Sequence, residues 1–229
     1  MYFYLINSNK KNETSPSSIL HSESMVQSYD NKYDNPNSVW NWWRNKLPPD
    51  SDGIQLVKNA VITDLINAGP LTHGIVVSPR FLNLLFTFNV LRPKYTSAKM
   101  YNFQGKEIPY YFYFLEDVFL DYLVDFEKSS FRVHEGLGGD EDVRREKADR
   151  GIKCKDQNSV YKKGGELKAN LAYDIVYLNG SDKMDILHFK YSWLPRMIVS
   201  ERVRSAIIEN EITGVTFEPI HFELHFIGN

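Results

Sequence analysis

One short pattern occurs twice in this chain, and it constrains the fold more than any other feature. Residues 76–80 read Val-Val-Ser-Pro-Arg, and residues 198–202 read Ile-Val-Ser-Glu-Arg. Each opens with β-branched residues that suit a strand. Each then reaches a serine, whose hydroxyl can accept the exposed N–H groups at a helix start. In the first copy proline follows, at the helical position that needs no N–H. Phe81, Leu84, Leu85 and Phe88 then fall at i, i+3, i+4 and i+7, one face of a helix. Val203, Ala206 and Ile207 stand in the corresponding places of the second copy, and Phe217 stands where Tyr95 stood. The spacing predicts a strand, a serine-capped helix and a second strand, built twice, as in a duplicated unit. Each helix would cover one face of a sheet.

The remaining signals point to more strand. Residues 1–6 are apolar and read as a buried strand, and residues 110–114 (Tyr-Tyr-Phe-Tyr-Phe) as one covered on both faces. A hairpin is expected from residues 94–103 and 108–115 around Gln104-Gly105-Lys106, and a second from 171–178 and 184–191 around Asn179-Gly180. Residues 54–67 combine a strand-like start with a helical second half, closed by Gly69-Pro70. Residues 119–133 fit further strand, or a short helix leading into one. The expected class is therefore α+β: a mixed, mostly antiparallel sheet with a few short helices.

At 229 residues the chain can bury a core without disulfides, and its single cysteine, Cys154, fits a reducing compartment. A net charge of −2 offers no overall basic field for nucleic acid. The apolar start is too short for a signal peptide, and no run is long enough to span a membrane. The expectation is a soluble, cytoplasmic protein that binds neither nucleic acid nor membrane.

Candidates for chemistry are few. His221, Glu223 and His225 alternate with Phe222, Leu224 and Phe226, so a strand here puts the three polar side chains on one face. Two histidines and a carboxylate are a known ligand set for a metal. Same-face neighbours lie about 7 Å apart along a strand, however, which strains closure on one ion. The alternative is the polar face of an antiparallel strand. Gly136-Leu137-Gly138-Gly139 lacks the third glycine of a dinucleotide loop, and Asp140, Glu141 and Asp142 beside it would repel phosphate. Cys154 lies between Lys153 and Lys155, which could lower its pKa; in a charged stretch the plainer reading is an exposed, inert thiol. Trp40, Trp42 and Trp43 read either as buried anchors or as interface anchors, since tryptophan is enriched at binding hot spots. Asp140, Glu141 and Asp142 open a charged run that could meet a basic partner. No catalytic motif and no cofactor loop is recognisable.

Several segments resemble, in order, a family of bacterial immunity proteins that accompany polymorphic toxins. The C-terminal signature is Val199-Ser200-Glu201, a short helix, then Thr213-Gly214-Val215-Thr216-Phe217-Glu218-Pro219. Residues 2–6 are similar to that family's N-terminal strand, Thr63-Asp64-Leu65 with residues 75–78 to its central block, and residues 124–129 to its Asp-to-Ser stretch. The resemblance implies one domain over residues 1–229, with 39–115 and 160–229 as the best-matching parts and 7–38 and 133–159 as variable loops. It implies a non-enzymatic inhibitor that binds a cognate toxin, with no catalytic residue and no cofactor. It gives Ser78 and Ser200 cap roles, Gly214 a turn and Phe217 a core place. The alternatives are a metal-dependent enzyme using His221, Glu223 or His225, and a general protein-interaction module.

Overall fold

The computed structural model describes residues 1–7, 19–21, 54–56, 62–66, 74–98, 100–102, 104–116, 119–134, 150–180, 183–192 and 196–228. In chain order the elements are β1 (Tyr2–Asn7), β2 (Ile19–His21), β3 (Ile54–Leu56), β4 (Leu65–Ile66), β5 (Gly74–Val77), α1 (Pro79–Leu85), β6 (Pro93–Ser97), β7 (Met100–Tyr101), β8 (Glu107–Ile108) and β9 (Tyr111–Leu115). They continue with a 3-10 turn (Asp121–Leu123), β10 (Ser130–Val133), α2 (Gln157–Leu167), β11 (Leu171–Asn179), β12 (Ile186–Leu187), β13 (Ile198–Ser200), α3 (Glu201–Glu209), β14 (Val215–Pro219) and β15 (Glu223–Ile227). The class is α+β with mostly antiparallel pairing, as the sequence predicts.

The chain gathers into two compact units. The first holds residues 1–118, 184–187 and 196–218. Within it, besides a four-stranded sheet β2-β3-β7-β8, two further four-stranded sheets run β4-β5-β9-β6 and β12-β13-β1-β14. They are laid out alike. A two-residue strand pairs with the strand before the serine cap, that strand pairs with a central strand, and the strand after the helix closes the sheet. The central strands, β9 and β1, come from different places in the chain, so the likeness is spatial as well as sequential.

Both helices start as the sequence predicts. Phe81 N–H donates to Ser78 Oγ at 3.2 Å, and Val203 N–H to Ser200 Oγ at 3.4 Å. Their apolar faces enter one shared core with Phe3, Leu5, Leu65, Val77, Tyr113, Ile186 and Val199. Phe81, Leu85, Val203 and Ile207 are essentially inaccessible to water, each worth about 1.5–3 kcal/mol of burial. Strand β9 is covered on both faces, as expected: Tyr113 faces the shared core, while Phe112 and Phe114 pack with Ile66, Val76 and Met100.

The first expected hairpin is present. Strand β6 pairs with β9 and β7 with β8, closing on Gly105 with φ +77°. The second is not. Strand β11 pairs antiparallel with β10 and parallel with β15, while β12 joins β13 in the other unit. A two-residue turn of the favoured hairpin type needs positive φ at both central residues. Gly180 has φ +148°, but Asn179 is not among the positive-φ residues. Residues 65–66, expected within a helical half, form a strand because they pair with β5.

The second unit holds residues 119–183, 188–195 and 219–229. Its sheet is β10-β11-β15, with α2 capped by a reciprocal pair: Ser159 N–H donates to Asp156 Oδ1 at 2.7 Å and Asp156 N–H to Ser159 Oγ at 3.0 Å. Its core stacks Phe131, Tyr173, Phe189, Tyr191 and Phe222.

Candidate functional site

The polar residues of the repeated pattern build two matching clusters in the first unit. In one, Asp64 is buried just ahead of β4 and accepts from Ser78 Oγ at 2.6 Å and from Arg80 Nε and Nη2. In the other, Asp185 is buried just ahead of β12 and accepts from Ser200 Oγ at 2.6 Å and from Arg202 Nε and Nη2. The serine that caps each helix thus also donates its hydroxyl proton to a carboxylate. The guanidinium two residues later holds the same carboxylate from the solvent side.

Each cluster is braced by the opposite helix. Thr213, four residues past the end of α3, donates its N–H and its hydroxyl to Asp64 Oδ2, both at 2.8 Å. Asn89, four residues past the end of α1, donates its N–H to Asp185 Oδ2 at 2.9 Å. The main chain repeats the exchange: Leu65 N–H bonds Thr213 C=O, and Asp185 N–H bonds Asn89 C=O. A tyrosine from each central strand region completes the match. Tyr110 Oη donates to the carbonyl before Asp64, at Thr63, and Tyr2 Oη to the carbonyl before Asp185, at Met184.

The electrostatics follow from these contacts. Burial alone would raise the Asp64 carboxyl, but the hydrogen bonds from Arg80, Ser78 and Thr213 outweigh it and hold the group well below the usual carboxylate range. Asp185 is lowered too: burial opposes, and donation from Arg202, Ser200 and the Asn89 N–H prevails. Burial, with the nearby carboxylate charge second, pushes Tyr110 and Tyr2 each up to about 12. Two carboxylates this acidic and two phenols this weak are poor proton-transfer groups at neutral pH. They fix the helix starts and tie the halves together.

The sequence showed the matching serines and arginines, and Asp64 within the Thr63-Asp64-Leu65 block, but neither the pairing of Asp64 with Ser78 nor Asp185 at all. The readable signal was an acid ahead of an apolar pair, 14 residues before Ser78 and 15 before Ser200.

The remaining candidates are dispersed. His221, Glu223 and His225 are exposed and alternate with Phe222, Leu224 and Phe226, as the strand pattern predicts. The strand is parallel to β11, not part of an antiparallel pair. His225 Nε2 lies 3.4 Å from Glu223, and its ring stacks on Tyr177 at 4.8 Å. Among the described residues no three His, Cys, Asp or Glu side chains gather to hold an ion. Cys154 is buried, not exposed, and burial raises its thiol against the lowering effect of a Ser159 hydrogen bond and the Lys163 charge. Lys153 turns its ammonium to the carbonyls of Lys128 and Ser129. Trp40, Trp42, Trp43, Asp140, Glu141 and Asp142, and the glycines at 136–139, lie outside the described residues.

A buried acid that the sequence did not single out is Asp121, in the second unit. It accepts from Tyr173 Oη at 2.7 Å and from Lys190 N–H at 2.9 Å. Burial raises its carboxyl, against those two bonds. At 1% exposure it is closed off from any solute and serves the aromatic core around it.

No protein-family model matches the chain, and no curated protein matches it in sequence. Among the described residues no helix is long and apolar enough to cross a membrane.

Proposed function

We propose that this protein is an immunity protein that binds a cognate bacterial toxin stoichiometrically and neutralises it, and that it is not an enzyme. The observation that carries the reading is the Asp64–Thr213 contact. The sequence resemblance picks out two separate blocks, one around Thr63-Asp64-Leu65 and residues 75–78, the other from Val199 to Pro219. These blocks are 149 residues apart at Asp64 and Thr213, yet they bond directly. Residues that carry the resemblance are spent on scaffold: two helix caps at Ser78 and Ser200, the buried carboxylate of Asp64 and a turn at Gly214, where φ is +80° and a Cβ would come within 2.6 Å of Leu65 O. Phe217 packs against Phe3 at the core's margin. With these residues committed to the fold, the protein would act through the surface that the fold presents.

The protein would work from the cytoplasm, without a cofactor, by covering the toxin's active site or blocking its maturation. The test is co-expression with the toxin gene next to its own. Growth rescue and co-purification in a fixed ratio support the proposal; a toxin that kills equally well with and without the protein refutes it.

A further inference from the structure

Among the described residues, the matched halves of the first unit differ at an aromatic patch on the surface. In the second half, Phe3 of β1 and Phe217 of β14 meet edge to face at 6.4 Å, and the Arg204 guanidinium lies over both rings, 4.9 Å from Phe3 and 5.8 Å from Phe217. The corresponding pair in the first half is Tyr111 of β9 and Tyr95 of β6. These rings also meet edge to face, at 5.8 Å and 74°. Phe86, at the end of α1, adds a third ring 5.3 Å from Tyr95.

The position matching Arg204 is Leu82, which is buried in the core. The first half therefore has no arginine of its own at that place. Among the described residues no cation lies over Phe86, Tyr95 or Tyr111. Tyr95 is 54% exposed and Phe86 45%. Aromatic faces carry negative potential and attract a guanidinium, which stacks on them with little loss of hydration. Among the described residues β6 is the last strand of its sheet.

We propose that Phe86, Tyr95 and Tyr111 form a docking site for an arginine side chain carried by a segment of the partner protein, seated as Arg204 is seated on Phe3 and Phe217. The inference rests on the partner-binding reading above and names the chemistry of the contact.

The first test titrates the purified protein with the peptide acetyl-Ala-Arg-Ala-amide, following ring-proton NMR signals of Phe86, Tyr95 and Tyr111. The control peptide carries citrulline, the neutral isostere of arginine. Saturable shifts confined to these rings are expected, with citrulline bound about two- to fivefold more weakly. Phe86→Ala and Tyr95→Ala, both at exposed positions, should abolish the shifts. Equal response to citrulline, or no shift at these rings, overturns the site. The second test measures affinity for the neighbouring toxin, where Tyr95→Ala should weaken binding by about 3- to 30-fold at unchanged melting temperature. If wild type neutralises the toxin and the Phe86→Ala/Tyr95→Ala variant does so equally well, the docking site is wrong and the immunity reading stands. If wild type neutralises nothing, that reading fails, and the peptide titration alone decides the site.

Discussion

Replacing Asp64 by alanine separates the buried carboxylate from the exposed cation that partners it. In the native protein the carboxylate accepts from Ser78 Oγ, from two guanidinium N–H groups of Arg80, and from the N–H and hydroxyl of Thr213. Its side chain is 10% exposed, whereas that of Arg80 is 56% exposed. In Asp64→Ala the Thr213 N–H and at least one hydroxyl lose their acceptor away from water, at about 1–3 kcal/mol for each buried group. The sum is roughly 3–5 kcal/mol, or about 6–20 °C in melting temperature for a chain of this size. Arg80→Ala removes only the solvent-side donor and leaves the carboxylate its bonds from Ser78 and Thr213. Urea unfolding at pH 7, followed by circular dichroism, compares the two variants. Asp64→Ala should be clearly the less stable of the two. Equal losses would mean that the ion pair, not the buried acceptor, holds the cluster, and the reasoning would fail.

Other consequences are open to measurement. Asp64 and Asp185 both titrate below their unfolded values, so their stabilisation is complete above about pH 5 and fades as pH falls through the unfolded and then the folded pKa. The Asp64→Asn/Asp185→Asn variant should show a flatter loss of stability between about pH 5 and 2 than wild type; parallel curves would contradict the assignment. Gly214→Ala should cost more than Gly105→Ala, because both have positive φ but only at Gly214 does the added Cβ meet other atoms, Thr63 Oγ1 at 2.5 Å among them. About 1–2 kcal/mol is expected at Gly105 and at least about 3 at Gly214, read by thermal melting, with equal costs counting against the close approach. Cys154 should resist a thiol reagent at pH 8 until the protein unfolds, since it is buried and its thiol is raised; rapid labelling of native protein would show the site open.

What could be read in advance was what local chemistry decides. Ser78 and Ser200 announce helix starts because a cap needs only a hydroxyl and the next three residues. The alternation around Glu223 and the turn at Gly105 are legible for the same reason. The errors all concern partners distant in sequence. Asn179-Gly180 carries a hairpin dipeptide, yet β11 takes β15 as its neighbour, so tertiary pairing overrode the local turn signal. Cys154 sits among lysines, but the fold buries the thiol while the ammonium of Lys153 reaches backbone carbonyls. The clusters at Asp64 and Asp185 are invisible to a local reading because each needs a donor from beyond the opposite helix, Thr213 or Asn89. The doubled Ser-x-Arg spacing and an acid ahead of an apolar pair were the hints.

Light scattering on a size-exclusion column, with this protein mixed at equal molarity with an inactivated form of a candidate toxin encoded beside it, tests the immunity reading at its root. A single new peak whose mass is the sum of whole numbers of both chains is the predicted result. Two peaks at the masses of the separate proteins, at micromolar concentrations and physiological salt, would contradict it.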